Sequence, residues 1–569
     1  MRRALLLAVA AAGALALPAA AFAHAALLRT VPQASGTVNA APHAVQLTFS
    51  EAVEPRFAIV SVTDAAAHQK TSGPPRRSRA DADTLVVPLD HVSEGWYLVY
   101  WRVISVDGHP VRGAFTFAVG PNPGPAPQFV IPSISETAAT PKLLVARWVT
   151  FLTVMSAIGL ATLRLGVARP VVRRVDGSTL RGVTVAFTAA SAVAVVAIPV
   201  YTLLATADFA LRSVFSVGAL VPLVRASAFG RGYVDLWICF ALFVAAAGAA
   251  IAIDRPERDR RSIAELVAAI GAALAAAAVV LVPALAGHAA QTSPRGLSVA
   301  FDAVHVATGS IWVGGLVGLL VLWRTLPAAA RVAGLVVAVP RFSATALASV
   351  LLLVGSGTGA SLLHLPTLSS LWQTSYGKAL LVKIALLGVA VVLAAVNLLR
   401  VKPRLGRPEV GLSAARLLRR LVAGETLLVA AAVFAAAVLS SLAPPSKALA
   451  AVGGASAHVG PGPVRRTLEK DGYTFAVTVA PNRAAIPNSF AVRITKGGRP
   501  VSGADVVLTF AMLDMEMGQQ AYRMQETSPG VYTHAAPALA MVGHWGLSFQ
   551  VQPHGRAPFT VLVVDRANG

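Results

Sequence analysis

Apolar and polar positions follow two different rhythms along this chain. From 24 to 120 they alternate as in strands, in Val45–Phe49, Phe57–Val62, Thr84–Leu89, Trp96–Trp101 and Ala114–Val119, with turn-rich pieces between. Several short strands at this spacing predict a small β-sandwich. After residue 140 the rhythm changes to apolar runs long enough to cross a bilayer. They fall near 143–163, 183–205, 233–253, 263–287, 299–322, 342–363, 379–399 and 421–443, which predicts eight membrane helices. Alternation returns from 467 to 569, in Tyr473–Val479, Ala504–Phe510 and Trp545–Val551, and predicts a second β domain.

The joints carry turn chemistry. A Pro-rich linker opens at Pro121 and runs over 121–141, and a Pro/Gly/Ala stretch covers 444–466. The first 23 residues read as a secretory signal, with Arg2 and Arg3, an apolar run, and Ala21-Phe22-Ala23 as the cleavage site. Cutting after Ala23 makes His24 the first mature residue; a second frame, Ala23-His24-Ala25, would remove it. The expected order is signal peptide (1–23), β-sandwich (24–120), linker (121–141), eight-helix transmembrane domain (142–443), linker (444–466) and C-terminal β domain (467–569).

Composition changes this picture little. Mean hydropathy is +0.67 with 13% charged residues, as expected of a multi-pass membrane protein. The net charge of +22 suggests nucleic acid until its distribution is followed. With residue 141 outside, the inner connections hold nineteen Lys and Arg against five in the outer ones (Arg212, Arg225, Arg231, Arg295 and Lys378). The positive-inside rule then accounts for most of the basic charge, argues against nucleic acid as a partner, and puts both β domains on the extracytoplasmic side of the cytoplasmic membrane. The single cysteine, Cys239, leaves no intramolecular disulfide and no cysteine-based metal site.

A mature N-terminal His24 offers an amine and an imidazole from one residue, a chelate suited to Cu(II). Asp107 and His109, two apart in Ser105-Val106-Asp107-Gly108-His109-Pro110, project to one side of an extended segment. Taken alone, that pair is better explained by a capped, solvated turn. Together with His24, and with HAALLRTVPQASGTVNAAPHAVQLTFSEAVEP and VISVDGHPVRGAFTFAVG around them, the domain resembles the copper-resistance protein C (CopC) family. The resemblance implies an Ig-like or cupredoxin-like sandwich that binds Cu(II) through His24, Asp107 and His109, with Glu51 as a further ligand. Members with a second, Met-rich Cu(I) site differ: residues 24–120 contain no methionine, and nitrogen and carboxylate donors suit Cu(II) alone.

Ionisable residues within spans are functional candidates by default. His288 closes the fourth span, His305 lies in the fifth and His364 closes the sixth, each toward the outer side. Asp302, His305 and Trp312 share a helix face, so Asp302 is expected to orient the imidazole; interfacial anchoring is the milder alternative. Arg147, Met155, Lys383 and Glu425 are further polar or soft candidates, Met155 more simply as packing. Ala286–Ala290, His305–Gly315, Tyr376-Gly377-Lys378 leading to Lys383, and Glu425 before Ala443-Pro444-Pro445 resemble the CopD family. That resemblance implies copper passage across the membrane, with uptake the usual direction.

Five of the seven methionines, Met512, Met515, Met517, Met524 and Met541, fall in the C-terminal domain, and His544 follows closely. Thioethers Met512, Met515, Met517 and Met541 with the His544 imidazole suit Cu(I); a Met-bearing core edge is the alternative. MLDMEMG and SPGVYTHAAPALAMVGHWGLSFQV resemble the YtkA-like domain. The chain is thus expected to be a non-enzymatic copper-handling membrane protein. Its expected cofactors are Cu(II) at the N-terminal domain and Cu(I) deeper in the chain. Its expected partners are copper ions, membrane lipid and periplasmic copper chaperones. Two readings from other classes stand beside it, a copper-brace oxidative enzyme and a haem-bearing electron carrier or sensor.

Overall fold

Val45, Leu47 and Phe49 alternate inward along one strand, β3 (Ala44–Phe49), and this alternation builds the first domain. In the computed structural model β3 lies in a four-stranded sheet ordered β1-β3-β6-β5, with β1 (Leu27–Val31), β5 (Arg76–Arg77) and β6 (Thr84–Pro88). A second sheet is ordered β2-β8-β7-β4, from β2 (Thr37–Val38), β4 (Ile59–Asp64), β7 (Gly95–Ile104) and β8 (Pro110–Val119). Val45, Leu47, Phe49, Val99, Trp101, Phe115 and Phe117 enter one core, so the sheets face each other as a sandwich. The structure describes residues 27–33, 37–49, 52–104, 110–124, 140–290, 292, 294–442, 449, 454–484, 486–514, 520–536, 538–539, 542–556 and 558–568; for Leu28, Pro110, Ala228, His288 and Gln373 it describes the backbone alone.

Among the described residues eight helices are long and apolar enough to cross a membrane: Pro141–Arg174, Arg181–Ala210, Phe229–Ile253, Ile263–Ala286, Arg295–Thr325, Ala328–His364, Ser375–Leu405 and Gly411–Leu439. Several outrun the expected limits. Arg169, Arg173 and Arg174 continue the first span, Arg331 and Arg341 lie inside the sixth, and Arg400, Lys402 and Arg404 inside the seventh, rather than in connections. Arg416, Arg419 and Arg420 likewise belong to the eighth. The reason is local: π-helical turns at Leu163–Val167 and Asn397–Val401 carry the helices onward, and long cationic side chains are tolerated near span ends. A short apolar helix, Val217–Ala226, also stands where a plain connection was expected.

The fifth span is the most buried of the eight. It reaches the first because both present bare backbone at the crossing. A Cβ on Gly314 would lie 2.5 Å from the Gly159 Cα, and one on Gly159 would run into the Ser310 carbonyl oxygen. Only glycine permits that approach. Gly315 is equally tight against the Phe342 ring of the sixth span.

Polar staples lock the helices. The Arg147 guanidinium in the first span donates to the Tyr201 hydroxyl at 2.9 Å and to the Ser441 hydroxyl at 2.6 Å. It joins the first, second and eighth spans. At the other end of the first span, Arg164 and Arg169 pair with Asp254 at 2.8 and 3.1 Å. Glu265 joins them while closing a capping box with Ser262. These buried charges answer one another, so the arginines here do more than set topology.

The C-terminal region is β-rich. One sheet holds β10 (Val464–Lys470), β11 (Tyr473–Ala480), β12 (Asn488–Lys496), β17 (Val531–Ala536) and β16 (Gln525–Ser528) in that order, with β13 (Arg499–Pro500) beside β12. In the other, β14 (Asp505–Met512), β18 (Gly543–Gln552) and β19 (Phe559–Ala567), the strands that matter below, lie in that order between β15 (Gln520–Arg523) and β9 (Ala457–Val459).

Candidate metal sites

His24, Glu51, Asp107 and His109 lie outside the described residues. The strands that precede and follow them are described. Leu27, at the start of β1, pairs with Phe49, the last residue of β3. The Glu54 amide donates to the Ile104 carbonyl at 3.0 Å, and Ile104 pairs with Pro110 across β7 and β8. The Phe49 and Trp101 rings meet edge to face at 5.4 Å between these strands. The strand ends flanking all four residues therefore share one end of the sandwich.

His305 sits ten residues into the fifth span, about 15 Å along its axis at the α-helical rise. Its Nδ1–H donates to the Leu353 carbonyl of the sixth span at 3.1 Å. A carbonyl accepts only, so this bond sets the tautomer and leaves the lone pair on Nε2. Lys383 Nζ of the seventh span donates to that nitrogen at 3.3 Å. Gly357 leaves room for the ring; a Cβ there would be 3.0 Å from His305 Cε1. Asp302 therefore does not orient the imidazole as expected from the sequence. The Leu353 carbonyl of the sixth span does so, because it is the acceptor that meets the Nδ1 edge of the ring.

His364 uses both ring nitrogens near the end of its helix, with Nδ1–H donating to Ala360 O at 2.7 Å and Nε2 facing the Thr292 hydroxyl at 3.2 Å. His288 opens a 3₁₀ turn, His288–Ala290, after the fourth span, and its side chain is not described. Met155 packs against Gly309.

In the C-terminal domain Met515, Met517 and Met541 lie outside the described residues. Met512 and Met524 are buried, 3% and 4% exposed. The end of Met512 still reaches a distinctive corner. The His544 Nδ1 faces Asp514 Oδ1 at 3.1 Å, and the His544 amide donates to Asp514 Oδ2 at 2.7 Å. Gly543, at φ +143°, has no Cβ where Met512 Cε and the Asp514 carboxylate converge. Among the described residues no hydrogen bond reaches His544 Nε2, which leaves it available. Asp514 was visible in the sequence only as a polar residue between methionines. Its pairing with His544 spans thirty residues and needs the β14–β18 register.

Beneath that corner, on β19, Asp565 is fully buried and accepts from Asn482 Nδ2 at 2.9 Å. Burial pushes its carboxyl up to about 6. Among the described residues no group of three or more His, Cys, Asp or Glu is arranged to hold a metal. Any copper site here is thus either built from thioether and imidazole or includes residues beyond those described.

Three domain families match in order. The CopC domain covers residues 27–120, copper resistance protein D covers 336–439, and the YtkA-like domain covers 467–550. The copper transport protein CutJ of Bacillus subtilis (strain 168) is 26% identical over 95% of this chain and 94% of its own length. Copper resistance protein C of Escherichia coli is 34% identical over 17% of this chain and 83% of its own. The crystal structure of CopC from Methylosinus trichosporium OB3b is 29% identical, covers 18% of this chain and all of its own, and gives a TM-score of 0.17. The chain thus belongs to the CopC family of copper resistance proteins, and it carries matches to copper resistance protein D and to the YtkA-like domain after its CopC domain.

Proposed function

We propose that this protein collects copper outside the cytoplasmic membrane and carries it inward through its helical unit. His24, Asp107 and His109, with Glu51, take Cu(II) at the N-terminal sandwich. The shared end of the strands flanking those residues supports that grouping. The observation that carries the transport reading is His305. An imidazole with a preset tautomer lies inside a membrane helix at the meeting of three spans. Intramembrane ionisable groups are costly and mark ion pathways.

Lys383 stands on the one lone pair that could bind a metal, so copper reaches Nε2 only when the ammonium moves aside. His288, Asp302 and His364 flank the route as further candidates. Cu(I) suits the thioethers of Met512, Met515, Met517 and Met541 with His544, whose ring Asp514 orients. Copper ions, membrane lipid and periplasmic copper chaperones are the partners this reading calls for.

Cells lacking their own copper importer and expressing the His305→Ala variant test the route. With normal protein levels, copper accumulation is expected to fall to the level of cells without the protein. Unchanged accumulation would remove His305 from the pathway.

A further inference from the structure

Glu425 is a carboxylic acid in the middle of the eighth span, fourteen residues from either end of Gly411–Leu439, and only 3% exposed. Asn397 Nδ2, in the seventh span, donates a hydrogen bond to its Oε1. Among the described residues no Lys, Arg or His forms an ion pair with it, and nothing but Asn397 and its own burial bears on it electrostatically. The first, fifth and sixth spans and the end of the seventh pack against this helix. Of the charged groups on these spans, Arg147 is held by Tyr201 and Ser441, Arg164 and Arg169 pair with Asp254, Lys383 faces His305 and Arg341 bonds its own helix. On the eighth span itself, Arg419 lies over Trp323.

Two further observations set this pair apart from a structural hydrogen bond. Asn397 is nine-tenths buried and its carbonyl oxygen has no partner, so an acceptor is left open beside the acid. Asn397 also begins the π-helical segment Asn397–Val401, a distortion that recurs at functional positions in helices. An unpaired carboxylate in a low-dielectric interior is strongly disfavoured, and the group escapes that cost by taking a proton. Two hard oxygen acceptors with no nitrogen or sulfur suit a proton and are poor ligands for Cu(I).

We propose that Glu425, positioned by Asn397, is a proton-binding site within the membrane and that proton movement through it is coupled to copper movement. The coupling rests on the copper-transport reading above; the proton site does not. The step is a protonation alone: the carboxylate takes one proton to become COOH, and releasing it restores the carboxylate, with no other bond made or broken.

The test uses the purified full chain, wild type and Glu425→Gln, in phosphatidylethanolamine/phosphatidylglycerol vesicles. Glutamine keeps the shape and a hydrogen bond to Asn397 but cannot titrate. Infrared difference spectra between acidic and alkaline buffer hold the C=O bands of every titrating carboxyl group, Asp565 among them, so the Glu425 band is read by subtracting the Glu425→Gln spectrum from that of the wild type. One carboxylic-acid C=O band is expected to remain in that subtraction, and in Asn397→Ala it should move to a position typical of a weaker hydrogen bond. No band in the subtraction overturns the proton site whatever copper does.

Copper supplied as a buffered Cu(I) complex is then followed under imposed pH gradients. For one coupled proton, the accumulated copper should change about tenfold per pH unit in the wild type, and the response should be lost in Glu425→Gln. Copper movement indifferent to the gradient overturns the coupling and leaves the transport reading intact. No copper movement in the wild type overturns both transport and coupling, while the infrared band still decides the proton site.

Discussion

Single side chains in this protein take their roles from partners far along the chain. Lys383 reads in the sequence as an isolated cation in an apolar run, and only packing sets it on His305 Nε2, seventy-eight residues away. Asp302, by contrast, stands one helical turn from His305 and was expected to hold it, yet the Leu353 carbonyl does. Asp565 offers a test at this scale. Its carboxyl is raised to about 6 from an ordinary 3.8, so the folded state binds its proton more tightly than the unfolded state does. Its favourable contribution is complete below about pH 3.8, declines as pH rises toward 6, and stays lost above that. Asparagine has no charge to bury. Asp565→Asn is therefore expected to stabilise the domain at pH 8 by on the order of 2–3 kcal/mol, with the difference shrinking toward pH 4. Hydrogen exchange across Gly543–Ala567 in the full chain reads this; an equal effect at both pH values would assign it to something other than the carboxylate.

At the scale of elements, length and apolar content announced all eight spans, because a bilayer demands about twenty apolar residues wherever a helix crosses it. Their ends were misplaced for a definite reason. In the sequence a charged residue marks an exit from the bilayer, whereas the arginines near Asp254 are buried in ion pairs and the π turns prolong the helices. The strands missed in the C-terminal region are instructive too. Exposed Gln525–Ser528 has no inward face, and Val464–Lys470 is mostly exposed, so neither carries a clean alternation to read. The first and fifth spans supply the prediction here. Gly314→Ala puts a methyl 2.5 Å from the Gly159 Cα, and overpacking of this kind costs about 1–3 kcal/mol. A lower melting temperature of the detergent-solubilised protein is expected, whereas Gly271→Ala, which has open space around it, should not lower it. Equal melting of the two variants would show that the crossing relaxes freely.

For the molecule as a whole, the proposed Cu(II) site depends on a free amine at the mature N-terminus. Full-length mature protein is expected to give a single nitrogen-rich type 2 Cu(II) EPR signal, and one extra residue before His24 should abolish it. Persistence of the signal in the extended protein would place the copper elsewhere. The order of a β-sandwich, eight helices and a second β domain could be read from the chain alone, as could the family resemblance carried by its motifs. Period-two alternation, span length and turn residues are local signals of how each segment divides itself between water, lipid and core. The pairing of Lys383 with His305, of Asp514 with His544 and of Asn397 with Glu425 was decided by the tertiary structure. Each joins residues twenty-eight to seventy-eight positions apart, and such pairs meet only when helix packing and strand register have brought their backbones together.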